Sequence, residues 1–270
     1  MTAGNTVKPD AVKFSAACAR ALLRKPEGGG IGMLGEKSLH SALKYYFEPD
    51  ESRHEAMVSG FFADILNEDG ITEIQTKNLF ALKRKLEEYL KENKVTVVHP
   101  VIREKRLIYL DPETGELSRP RLSPKKGRLT DAFRELVHIR DALAKPGLTI
   151  DLVLVDAEEY RVRGAGRKRR RGGSADLKYE LLPAALIEEV RAAPRELICF
   201  LPPELIKDGA GFTVKALQKA GGLNYVTASA MCAVLVSAGA LSRRREGRGY
   251  VYFKTEERSE DIADTDARRG

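Results

Sequence analysis

Phe61-Phe62-Ala63-Asp64-Ile65-Leu66-Asn67-Glu68-Asp69-Gly70-Ile71-Thr72-Glu73-Ile74-Gln75-Thr76 is the stretch whose reading decides the fold of this chain. At its centre, Asn67-Glu68-Asp69-Gly70 is a hairpin signal, because Asn, Asp and Gly tolerate the left-handed backbone of a tight turn. The apolar runs on either side predict strands over residues 61–66 and 71–76. Side chains alternate along a strand, so Glu73 and Gln75 share one face and Ile74 takes the other. The hairpin brings Asp64 beside Glu73. Two carboxylates and the backbone carbonyl of Ile74 then converge on one point. Such a set suits Mg²⁺ (or Mn²⁺), which takes few carboxylates and keeps water. A cation held there polarises a phosphodiester and acidifies an attacking water.

Outward from the hairpin, the pattern alternates helices and strands. Leu39, Leu43, Tyr46 and Phe47 fall on one face of a helix over 36–47. A short strand is expected over 55–59, and a long helix over 78–93 carries Leu79, Leu82, Leu86 and Leu90 at helical spacing. Strands follow over 95–102 and 106–110, then a turn at 111–115, a basic loop over 118–128 and a helix over 131–143. The aliphatic run 149–156 reads as a strand covered on both faces. The predicted class is α/β: a mixed sheet flanked by helices, followed by a mostly helical unit. The expected organisation is a flexible or helical leader (1–32), an α/β unit (33–160), a basic linker (161–178), the helical unit (179–254) and an unstructured tail (255–270).

At this point the element order carries a resemblance. Helix with Glu36, strand, strand ending in Asp64, strand with Glu73-Ile74-Gln75, long helix and strand together resemble the PD-(D/E)xK, or restriction-endonuclease-like, nuclease superfamily. The Glu-x-Gln-Thr string is similar to its competence-protein branch. The likeness covers roughly residues 33–110. It implies that Asp64 and Glu73 are metal ligands, with the Ile74 carbonyl. It also implies that Gln75 orients the water or the scissile phosphate, and that Glu36 is an acid near the metal. Gln75 replaces the usual lysine and is neither proton acceptor nor cation. Either Lys77 or Lys83 reaches in from the next helix, or the site is inactive. His40 lies one turn after Glu36 and is placed to contact phosphate or assist proton transfer. Glu55, beside His54, is a candidate accessory acid, with a surface role as the alternative.

Residues 212–253 read as a winged helix-turn-helix. Thr213 and Asn224 cap two helices, Gly221-Gly222 forms the turn between them, and Gly239 ends the second. Two strands with a glycine-rich tip follow. The outer residues of the second helix would be Tyr225, Val226, Thr227 and Ser229. Tyr225, Thr227 and Ser229 are the polar candidates for nucleic-acid contact. None is a bidentate base reader, so phosphate contacts from Arg243, Arg244, Arg245 and Arg248 are expected, with little sequence specificity. A winged helix that binds protein instead is the alternative. The run Arg167-Lys168-Arg169-Arg170-Arg171 is a solvated linker or an electrostatic clamp on nucleic acid.

Composition narrows the classes further. The formal net charge is +7, which is compatible with a polyanionic partner, nucleic acid and DNA in particular. The three cysteines are far apart, so neither a disulfide framework nor a cysteine zinc site is expected. No apolar run is long enough for a bilayer and no signal sequence is evident, so a cytoplasmic location without membrane contact is expected. A homodimer is compatible with the sequence. Three functions remain open: a Mg²⁺-dependent deoxyribonuclease, a non-catalytic DNA-binding regulator on a degenerate nuclease scaffold, and a protein-interaction module.

Overall fold

A computed structural model describes residues 6–23, 34–165, 176–207 and 209–255. The run 167–171 and the tail from 256 lie outside the described residues, as does the side chain of Glu36. One mixed sheet organises the rest. Its order is β1 (Thr6–Val7), β8 (Leu177–Ala192), β7 (Leu148–Val162), β5 (Val95–Leu110), β4 (Gly70–Ile74), β3 (Phe61–Asn67) and β2 (His54–Val58). The short β6 (Arg121–Leu122) also pairs with β5. β2, β3 and β4 form the antiparallel meander expected around Gly70, whose φ of 114° brings it against the Lys94 backbone. A Cβ at Gly70 would lie 2.4 Å from the Lys94 carbonyl oxygen. β5 runs parallel to both β4 and β7, and β8 closes antiparallel on β7.

Helices cover both faces. On one, α1 (Ala11–Leu23) and α2 (Leu34–Phe47) bury Phe14, Leu39, Leu43 and Tyr46 against Ile65, Ile74, Val98, Val153 and Val155. Residues 11–23 of the expected leader are thus helical, and their apolar face is packed. On the other face lie α3 (Lys83–Tyr89), the helical segment around α4 (Phe133–Leu136), the turns over 194–205, and the pair α5 (Val214–Gly221) and α6 (Tyr225–Ser237). The hairpin β9 (Leu241–Glu246) and β10 (Gly249–Lys254) ends the described chain.

The division into units differs from the sequence reading. The described ends of the expected linker 161–178 are strand. Val162 pairs with Leu177, and β8 then follows β7 to Ala192. Long-range pairing of this kind has no local signature. The strands expected at 95–102 and 106–110 are one strand, with a register shift between Ile102 and Lys105 absorbing the irregular stretch. The helix over 78–93 is shorter. Asn78 adopts a left-handed φ of 55°, a 3-10 turn spans Leu79–Leu82, and only Lys83–Tyr89 is α-helical. Similarly, 131–143 is a chain of 3-10, α and 3-10 turns from Leu129 to Ile139.

The C-terminal helices do not stand apart from the sheet. Leu217, Met231 and Leu235 share one buried core with Leu136, Leu152 and Leu197, and the rings of Phe133 and Phe200 meet edge to face at 5.6 Å. Leu235→Ala, a fully buried truncation, is therefore expected to cost about 3 kcal/mol and to leave a single unfolding transition in a denaturant titration. Two separate transitions would mean that the helical unit folds on its own.

Candidate functional site

The meander opens at Asp64. β3 pairs with β4 only over Ile65–Asn67, and beyond that point the two strands diverge. The groups that divergence frees are satisfied by side chains. The Ile74 amide donates to Asp64 Oδ2 at 2.8 Å, and the Phe62 carbonyl accepts from Lys85 Nζ at 2.7 Å. The fork is thus lined by the groups that replace its missing ladder bonds.

Asp64 also faces α2. His40 Nε2 lies 3.2 Å and Lys44 Nζ 4.0 Å from Asp64 Oδ1. These two side chains are four residues apart, one turn on the same helical face. Burial raises the affinity of Asp64 for a proton, but His40, the Ile74 amide and Lys44 outweigh it and hold the carboxyl below its ordinary range. Glu73 sits in the opposite regime. It is 1% exposed, and both its oxygens lie 2.9 Å from Lys85 Nζ. Burial, then repulsion from Asp64, outweighs that ammonium and pushes Glu73 up to about 7. Two adjacent acids driven apart in this way present one fixed carboxylate and one proton-exchanging group near neutrality. Tyr89, one turn beyond Lys85, is buried against them; burial and the charges of Glu73 and Asp64 raise its hydroxyl.

The expected residues divide on this geometry. Asp64, Glu73 and His40 come together. Ile74 contributes its amide to Asp64, with its side chain buried against α2. Glu36 lies one turn before His40 on α2. Glu55, with a positive φ of 54°, pairs with Lys44 at the rim. Gln75 follows the end of β4, and its amide nitrogen donates to the carbonyls of Lys77 at 2.5 Å and Asn78 at 3.5 Å, bracing the turn. Lys77 is not at the acids: burial and then the charges of Lys178 and Lys105 lower its affinity for a proton, which places it in a separate cluster. Lys83 pairs with Asp141 at 2.7 Å. The lysine at Glu73 is Lys85, which the sequence reading missed, as it missed Lys44 beside Asp64. Its available signal was helical phase: Lys85 shares a face with Tyr89 and adjoins the Leu82–Leu86 stripe.

Asp64 and Glu73 are hard oxygen donors of the kind Mg²⁺ or Mn²⁺ accepts, and the Lys85 ammonium balances the charge that such a cation would balance. Among the described residues there is no group of three or more His, Cys, Asp or Glu placed to hold a metal. A cation held by these two carboxylates alone would have to take its remaining ligands from water.

At the other end of the chain, Thr213 Oγ1 accepts from the Ala216 amide and Asn224 Oδ1 from the Thr227 amide, as the capping pattern predicts. α6 is mostly buried, however. Thr227 is 1% exposed and Ser229 half-buried, leaving Tyr225 and Val226 as the open positions of its first turn. Thr227 is therefore not a surface contact, because that side of α6 packs into the shared core. The hairpin does present cations: Arg243, Arg244, Arg245 and Arg248 are exposed, with Arg243 stacked 4.6 Å from the Tyr250 ring and Arg244 2.6 Å from Glu246. No single described helix is long and apolar enough to cross a membrane.

A family model described as a domain of unknown function, DUF8091, matches residues 37–192. The chain belongs to this family. The DUF8091 span runs from α2 to the end of β8, so it contains the fork and the main sheet strands β2–β8, and it excludes α5, α6 and the hairpin. An uncharacterized protein of Treponema pallidum (strain Nichols) is 34% identical over 159 residues, 58% of this chain and 61% of the relative. No solved structure matches.

Proposed function

We propose that this DUF8091 protein is a metal-dependent nuclease that hydrolyses DNA phosphodiester bonds at the Asp64–Glu73 fork. The observation that carries the reading is the position of Lys85, whose ammonium lies 2.9 Å from both Glu73 oxygens. It offers, from α3, the cation that the PD-(D/E)xK superfamily carries where this chain has Gln75. The order α2, β2, β3, β4, α3, β5, with β4 and β5 parallel, supports the same restriction-endonuclease-like reading.

In this reading Asp64 and Glu73 would hold a Mg²⁺ or Mn²⁺ ion, which supplies charge neutralisation at the phosphate and an acidified water. Lys85 offsets charge developing on the phosphoryl oxygens. Glu73, which stands at about 7 without the ion, would be ionised once it held one. His40 and Lys44 keep Asp64 ionised, and the Lys44 ammonium adds positive charge toward an incoming phosphate. A water oxygen forms the new bond to phosphorus and releases its proton to solvent, while the bond to the leaving oxygen breaks and that oxygen takes a proton from water.

The α5–α6 pair, bent by 116°, and the β9–β10 hairpin support a winged-helix reading, since helix-turn-helix pairs cross at about 90–120°. The wing arginines then anchor phosphates without reading bases, and α6 contributes only its first turn. Plasmid nicking with Mg²⁺ or Mn²⁺ tests the enzyme reading. Lys85→Ala is expected to slow it about 100-fold, in the range of losing one charge-stabilising donor. Equal cleavage by that variant overturns the role of Lys85.

A second reading, a DNA-binding adaptor on an inactive scaffold, is favoured by one observation. The Glu73 side chain is 2% exposed and both its oxygens are taken by Lys85, as in a structural ion pair. It predicts DNA binding with no nicking in either metal.

A further inference from the structure

A second cationic site lies far from the fork, at the distal end of the long strands. Tyr109 near the end of β5, Ser118, Arg119, Arg121 on β6, Arg163 just past β7 and Asp176 just before β8 line an open cavity of about 410 Å³. Glu73 registers with Val97 of β5, and Tyr109 lies twelve residues further along that strand. At roughly 3.3 Å per residue the separation is roughly 40 Å.

The cavity is braced by its own backbone. Ser118 donates its amide to the Tyr109 carbonyl at 2.8 Å, and Ser118 Oγ accepts from the Tyr109 amide at 3.0 Å. This fixes the loop leading to Arg119 and Arg121 against β5. The Arg163 guanidinium lies over the Tyr109 ring, 5.5 Å from its centroid. Among the described residues, Arg119 and Arg121 make no ion pair and no side-chain hydrogen bond. Two acids lie nearby: Asp176 Oδ1 accepts from the Gly164 amide at 3.3 Å, and Asp111, whose Oδ1 accepts from the amides of Glu113 and Thr114, also attracts Arg163. Three guanidiniums thus face one lining carboxylate. Elsewhere on these strands, Arg103 pairs with Asp156 and Lys105 with Glu159.

We infer that this cavity is a phosphate-binding site. Guanidinium forks match phosphate oxygens bidentately, and an aromatic face holds one of them in place. The phosphate comes from the backbone of a nucleic-acid strand or from a free phosphorylated compound. The site stands on its own cations and does not depend on cleavage at Asp64.

The test uses the full chain in EDTA, so that hydrolysis plays no part. Binding of a labelled DNA duplex of about 20 base pairs is followed by anisotropy across salt concentrations, and binding of inorganic pyrophosphate by calorimetry. Arg119→Ala/Arg121→Ala and Arg163→Ala are compared with the parent, with circular dichroism as the check on folding. The double variant is expected to bind duplex about tenfold more weakly, with a salt slope shallower by about 0.9 for each phosphate that is no longer neutralised. Loss of pyrophosphate binding with duplex affinity unchanged assigns the site to a free phosphorylated compound and upholds it. Folded variants that match the parent for both probes overturn it.

Discussion

Asp64→Ala is expected to reduce metal-dependent DNA cleavage about a thousandfold. Each ~1.4 kcal/mol of lost transition-state stabilisation is tenfold in rate, and a cation ligand at a phosphoryl centre supplies several kcal/mol. Asp64 also accepts the Ile74 amide, so alanine removes a structural bond along with the charge. Asp64→Asn separates the two effects. Its side-chain oxygen still accepts from Ile74, while the negative charge facing His40 and Lys44 is gone. Both variants are expected to be inactive, with Asp64→Asn closer to the parent in thermal stability. Plasmid nicking alongside thermal denaturation measures this. An Asp64→Asn protein that cuts as fast as the parent would remove Asp64 from the chemistry and leave it a strand-end cap.

Glu73→Gln is expected to stabilise the protein by about 3 kcal/mol at pH 8 and to change little near pH 4.5. The Glu73 carboxyl stands at about 7 in the folded chain against an ordinary value of 4.5. In that interval the folded state binds more protons than the unfolded state, so stability falls as pH rises through it. The difference of 2.5 between those values corresponds to about 3 kcal/mol at ~1.36 kcal/mol per pH unit. Glutamine removes the ionisation. Lys85, a quarter exposed, then keeps the Phe62 carbonyl and turns its charge to solvent. The remaining pH dependence in the variant has a second source. Asp151 is buried, repelled by Glu189 and only partly offset by Arg191, and it too stands above its ordinary range. Denaturant titrations of parent and variant from pH 4.5 to 8 check the prediction. A parent whose stability climbs over that range, or a variant less stable at pH 8, contradicts it. The expected result would mean that the chain retains Glu73 at a cost in stability, which is the pattern of a group kept for binding or chemistry.

Short-range rules were sufficient for part of this protein. The turn at Asn67–Gly70 and the alternation around it place Asp64 beside Glu73, because a hairpin puts neighbours in sequence next to each other in space. Thr213, Asn224 and Gly239 mark helix ends through bonds and backbone angles that reach only a few residues. Tertiary packing decided the rest. β8 joins the sheet by pairing with β7, and no local pattern reports that partner. The α3 region reads as one long helix, but its helical phase and docking angle were needed to select Lys85 over Lys77 and Lys83. Thr227 reads as an outer position until α6 packs into the shared core and buries that side. In each case the deciding energy comes from contacts between segments far apart in sequence: burial of apolar faces and satisfaction of backbone groups where strands part.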